Sequence, residues 1–248
     1  MDARMQREFI ERWERHFPGA ELPIGFYYAD EVAAEDAAAS QAASRCLIGN
    51  LERVRQGHPF VYAADTPGCP GGKRYAGFSQ QLRPKFEYFL SCGIPGELEG
   101  ERYKKTPELA LAHVREHPPL PAAGRYLVWK RWDRFGPGEE PLVVVFFAGP
   151  DVLAGLFTLA NFDTPDPHGV VAPMGAGCAT IIEYPRREAA AARPRSVLGM
   201  FDVSARPFVP AGTLTFAVPM ARFVEMVGNM DESFLVTVSW QKVRARLA

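Results

Sequence analysis

Leu142-Val-Val-Val-Phe-Phe-Ala148, bracketed by Pro141 and by Gly149-Pro150-Asp151, is the longest apolar run in the chain. It is far short of the roughly 20 residues that span a bilayer, and its β-branched and aromatic content between breakers reads as a buried strand. Gly149-Pro150-Asp151 then starts a predicted helix reaching about Asn161. The same order recurs where Val170-Val-Ala-Pro173 passes through Gly175-Ala-Gly177 into a predicted helix from Cys178 to Tyr184. Elsewhere the alternation fails. A helix over 4–17, marked by Phe9, Ile10, Trp13 and Phe17, precedes a strand over 22–28 and a once-broken helix over 31–56. Strands at 60–63, 125–132, 196–202 and 213–218 mix with helices at 84–92, 106–117, 219–227 and 232–242. Without a regular βαβ period the expected class is α+β, a mixed sheet with helices packed around it. One compact domain over 1–248 is expected, with 120–140 the place where two sub-lobes would divide.

With 248 residues, 47% of them hydrophobic, the chain can fill a core, which excludes disordered and fibrous classes. Lys and Arg total 28 against 29 Asp and Glu, a net charge of -1 that provides no field to attract nucleic acid. The opening Met1-Asp-Ala-Arg-Met leads into charged residues without a signal-type apolar segment, so a cytoplasmic protein without a membrane partner is expected. In a reducing compartment Cys46, Cys69, Cys92 and Cys178 are free thiols, ligands or reactive groups rather than disulfides.

Two glycine-rich loops each display a cysteine. Pro67-Gly-Cys-Pro-Gly-Gly-Lys73-Arg74 lacks both the first glycine and the hydroxyl of a P-loop, so a nucleotide-hydrolase reading fails. Its Pro and Gly content over 65–72 predicts irregular structure, with Gly71 and Gly72 letting a ligand approach the backbone. Lys73 and Arg74 would favour a Cys69 thiolate; the alternative is a tight turn whose cysteine packs inward. Gly175-Ala-Gly177-Cys178 would place Cys178 in a first helical turn, where the dipole lowers a thiol pKa, or would simply allow close packing. Cys46, Cys69 and Cys178, without local metal spacing, could still join as ligands of an iron–sulfur cluster or another metal. His113-Val-Arg-Glu-His117 matches a zinc-helix pattern, although histidines in a last turn also complement the helix dipole. In Phe201-Asp-Val-Ser-Ala-Arg206, Arg206 suits recognition of an anion with Asp202 orienting it, or a structural pair closing a loop. Met220, Met226 and Met230 fall near one helical face, as core residues do.

Taken together, Cys46 ahead of a helix, Gly68-Cys-Pro-Gly-Gly72, Tyr75-Ala-Gly-Phe78, Gly100-Glu-Arg-Tyr-Lys-Lys-Thr106, Gly175-Ala-Gly-Cys178, Phe201-Asp-Val-Ser-Ala-Arg206 and Ser233-Phe-Leu235 resemble domain-of-unknown-function family 169, the ArCR family. The resemblance spans most of the chain and implies a layout rather than a reaction: Cys46, Cys69, Cys178 and Arg206 stand at family-motif positions. Gly199-Met200 departs from a Gly-Cys pair found in many relatives, so a cluster using that cysteine is not available to this chain. Three functions are therefore expected to compete. They are a protein holding a thiophilic cofactor on Cys46, Cys69 and Cys178, an enzyme using Cys69 or Cys178 as thiolate on a small anionic substrate, and a non-catalytic small-molecule binding module.

Overall fold

The computed structural model describes residues 1–247. Seven strands, β1 (Ile24–Ala29), β2 (Phe60–Ala63), β3 (Tyr126–Arg131), β4 (Val143–Ala148), β5 (Val170–Val171), β6 (Ser196–Gly199) and β7 (Leu214–Pro219), form one sheet in the order β2-β3-β1-β4-β7-β6-β5. Every pairing is antiparallel except β5 with β6. Helices α1 (Ala3–His16), α2 (Ala34–Ala39), α3 (Leu47–Arg55), α4 (Pro70–Tyr75), α5 (Phe86–Leu90), α6 (Pro107–Glu116), α7 (Pro150–Leu159), α8 (Tyr184–Ala189), α9 (Met220–Asn229) and α10 (Val238–Arg244) complete the α+β architecture. No helix among the described residues is long and apolar enough to cross a membrane.

Strand β4 is the axis, hydrogen-bonded to β1 on one side and β7 on the other. Successive side chains leave a strand on opposite faces, and both faces here are covered. Val143, Val145 and Phe147 enter one core with α3, while Val144, Phe146 and Ala148 enter a second core with α1, α7, α9 and α10. That double burial is why the run contains no polar residue. In the second core Phe9, Trp13 and Phe17 of the first amphipathic segment stack along the sheet, with Trp13 and Phe17 ring centroids 4.4 Å apart. Met226 and Met230 are buried there and Met220 packs against them.

The break in the 31–56 helix falls between α2 and α3, and Asn50 fixes it. Its Oδ1 accepts the N–H groups of Ala43 and Ser44, both at 2.8 Å, and its amide donates to the carbonyls of Ser44 and Cys46. The segment expected to be irregular over 65–72 instead turns into α4 at Pro70. Proline is tolerated in a first helical turn, and the Cys69 thiol caps that turn by accepting the Gly72 N–H at 3.3 Å.

Candidate functional site

Three chain segments meet at the edge of the first core around a cavity of about 330 Å³, and each brings a cysteine. Cys46 is the N-cap residue of α3, and its sulfur faces the backbone N–H groups of Gly49 and Ile48. The Cys69 N–H donates to the Arg45 carbonyl at 2.8 Å, which pins the second cysteine segment against the first. Cys178 lies in the first turn of the helix that runs through a π-helical stretch, Ala179–Glu183, into α8. Gly177 before it must be glycine: a Cβ there would stand 2.9 Å from Ala205 Cβ and 3.1 Å from Met200 Sδ. The Gly177 N–H is held by Asp202 Oδ2 at 2.9 Å.

The Cys46 and Cys69 sulfurs are neighbours at the cavity, and this links their protonation. A thiol donating to a neighbouring thiolate stabilises the anion, so the pair gives up its first proton readily and holds the second firmly. The Cys69 sulfur carries the anion: the Cys46 thiol, helped by the N–H groups of Gly72 and Leu47, pulls its pKa down to about 5 against the opposing effect of burial. The neighbouring Cys69 sulfur together with burial pushes the Cys46 pKa up. Cys178 is 6% exposed, and burial together with the neighbouring Cys69 and Asp202 raises its pKa. The expected dipole-lowered thiolate at Cys178 is therefore corrected, because loss of water outweighs one helical turn. Tyr62 stands beside the three thiols with its hydroxyl buried and without a hydrogen-bond partner. A Cβ on Gly68 would come within 2.4 Å of that hydroxyl, which accounts for the glycine.

Opposite the cysteines, residues 79–121 leave the sheet and cover the cavity with α5 and α6. Helix α5 has no buried residue and α6 only Ala110, while Phe86, Phe89 and Leu90 line the cavity. The return strand is stitched to α5 by Glu101 N–H to the Phe89 carbonyl at 2.7 Å and Lys104 N–H to the Leu90 carbonyl at 3.0 Å. Arg74, Arg186 and Arg187 hold the ends of this cover through the carbonyls of Gln80, Pro121 and Pro118, and Tyr103 fastens its middle to the loop after β6. The Tyr103 hydroxyl donates to Asp202 Oδ1 at 3.1 Å and accepts the Ser204 N–H at 2.9 Å.

The structure thus brings Cys46, Cys69, Gly71, Gly72, Gly175, Gly177 and Cys178 to one cavity. Arg206 is not among them. Its guanidinium donates to the carbonyls of Thr213 and Pro210 and closes the 206–213 loop, the alternative role expected for it, and it does not line this cavity. Asp202 orients the Gly177 loop instead of Arg206. Arg74 reaches the cavity, whereas the Lys73 ammonium turns away to the Ala63 carbonyl and the Tyr62 ring. His113 lines the cavity, its pKa lowered by burial and by nearby Lys104, and His117 lies outside, bonded to the His113 carbonyl. Among the described residues no group of three or more His, Cys, Asp or Glu side chains is placed to hold a metal ion. Neither the zinc helix nor the cysteine trio is therefore a formed mononuclear centre. Arg74, Arg83, Tyr103 and Lys104 were not legible as cavity residues, because cover and helix orientation arise only in the folded chain.

No curated protein and no solved structure matches the chain. The family model DUF169, described as uncharacterised ArCR, matches residues 20–229, which carry the three cysteine segments, the cover and Asp202. The chain belongs to that family.

Proposed function

We propose that the protein acts on a small molecule seated in this cavity, with the Cys69 thiolate as its nucleophile or soft donor. The observation that carries this reading is Cys69 Sγ accepting the Gly72 N–H at 3.3 Å, with Cys46 beside it, on the wall of a covered cavity of about 330 Å³. A thiolate is the reactive form of cysteine, and the backbone N–H groups beside Cys69 keep it ionised at neutral pH. Cys46 holds the proton that a reacting sulfur or a leaving group would need next. The thiols stay free under the reducing conditions of a cytoplasmic compartment. Peptide-mapped alkylation with limiting iodoacetamide at pH 7 tests the reading, with exposed Cys92 as internal control. Cys69 is expected to label before Cys92 despite being less accessible. Labelling of Cys92 first contradicts the proposal.

A second reading is favoured by the third thiol. Cys46, Cys69 and Cys178 surround one space large enough for a multi-atom thiophilic group, which fits an iron–sulfur cluster better than a single ion. Such a cluster would supply electron transfer or a Lewis-acidic iron. Anaerobic purification followed by iron and acid-labile sulfide analysis separates the two: stoichiometric iron and sulfide support the cluster, and their absence from a folded protein removes it.

A further inference from the structure

We propose that the molecule taken by this cavity is a small organic anion with an apolar body, and that Arg74 pairs with its acidic group. The inference rests on Cys69 being the reactive thiolate of the site. Arg74 is 8% exposed and lines the cavity from α4, the helix that Cys69 caps. A guanidinium removed from water is costly unless it is paired. Here Nη1 donates to the Gln80 carbonyl at 2.8 Å, and Arg74 takes part in no ion pair among the described residues. Nearby Glu183 pairs with Arg187 through Oε1 at 2.9 Å, and its buried Oε2, without a hydrogen-bond partner among the described residues, makes no ion pair with Arg74. A planar guanidinium with donors to spare matches a carboxylate or similar oxyanion.

The rest of the wall agrees in sign. Arg83 and Lys104 also line the cavity without an ion pair among the described residues, and Arg83 lies 4.3 Å over the Phe89 ring. Two carboxylates and the Cys69 thiolate itself oppose them. Glu101 is exposed, and Asp202 already accepts from Gly177, Tyr103 and Ser204. Phe86, Phe89, Leu90 and Ile48 supply apolar surface for the body of the ligand. At about 330 Å³ the space lies at the small end of ligand cavities, which favours a small acid over a nucleotide or peptide.

Two alkylating probes of similar size test this, one anionic and one neutral. Rates for iodoacetate and iodoacetamide are measured at Cys69 and at Cys92 by peptide mass mapping. The iodoacetate-to-iodoacetamide ratio is expected to be about tenfold higher at Cys69 than at Cys92, as one charge-assisted pairing would give. Arg74→Gln is expected to bring the Cys69 ratio down to that of Cys92. An arm on the unaltered protein covers the case in which that variant does not fold: benzoate is expected to slow iodoacetamide labelling of Cys69 and benzyl alcohol to leave it unchanged. Fast labelling of Cys69 with equal ratios at both cysteines and no benzoate protection overturns the anion proposal and leaves the thiolate standing. Slow labelling of Cys69 by both reagents overturns the thiolate reading, and this inference falls with it.

Discussion

Thr215 and Tyr62 are both buried with a hydroxyl that finds no partner, but their surroundings differ. Thr215 lies in β7 opposite Phe147 and Gly199, inside the sheet and away from the cavity lining. An unpaired buried hydroxyl has lost its water without return, so Thr215→Val, which keeps the shape, is expected to stabilise the protein by about 1 kcal/mol. Thermal unfolding would register a rise of about 2–4 °C; a lower midpoint would show that the hydroxyl has a partner after all. Tyr62 instead stands by three thiols, where an unused donor faces the electrostatic influence of the sulfurs. At this scale the sequence was partly legible. A cysteine after glycine, next to cations, suggested a thiolate at Cys69; in the folded chain its pKa is drawn down chiefly by Cys46 and by backbone N–H groups, which local sequence does not show. Which arginine faces the site depended on side-chain direction: Arg206 turns to the carbonyls of Thr213 and Pro210, and Arg74 lines the cavity.

Elements were legible where local chemistry and burial agree. Thr106 with Pro107 announced α6, and the Thr106 hydroxyl accepts the Leu109 N–H at 3.3 Å. The 142–148 run announced β4, because a strand covered on both sides needs no polar residue. Helix α4 was not legible, since its cap is a thiol and its first turn is Pro-Gly-Gly, a composition that ordinarily marks a loop. The cover formed by α5, α6 and their connection has little buried surface, and Tyr103 is the side chain that ties it to Asp202 and Ser204. Segments with few buried apolar contacts open at low free energy. Tyr103→Phe removes two hydrogen bonds and is expected to speed amide exchange across 86–116 several-fold, with β4 and β7 unchanged. Uniform acceleration throughout the chain, or none at all, would mean that Tyr103 does not hold the cover.

For the whole molecule, the antiparallel sheet with a core on each face divides the labour. The α1, α7, α9 and α10 side is filled with stacked aromatic and apolar side chains. The α3 side ends in the cavity where residues 46, 69 and 178 meet. Nothing in local spacing enforces that meeting. It follows from β2 and β3 pairing at one end of the sheet, from the Arg45–Cys69 backbone bond, and from the Gly177 loop docking on Asp202. On the proposed reading the meeting creates a thiolate, because the Cys46 thiol keeps its proton and stabilises the anion on Cys69 beside it. A pKa held below the ordinary thiol value keeps Cys69 ionised, and so reactive, at pH values where a free thiol is protonated. The most direct measurement is the iodoacetamide labelling rate of Cys69 from pH 4 to 10, in the unaltered protein and in Cys46→Ala. The rate is expected to be near its plateau by pH 7 with an inflection near pH 5, and Cys46→Ala is expected to move that inflection up toward about 8.5. An inflection near 8.5 in the unaltered protein, or one that Cys46→Ala does not move, would contradict it.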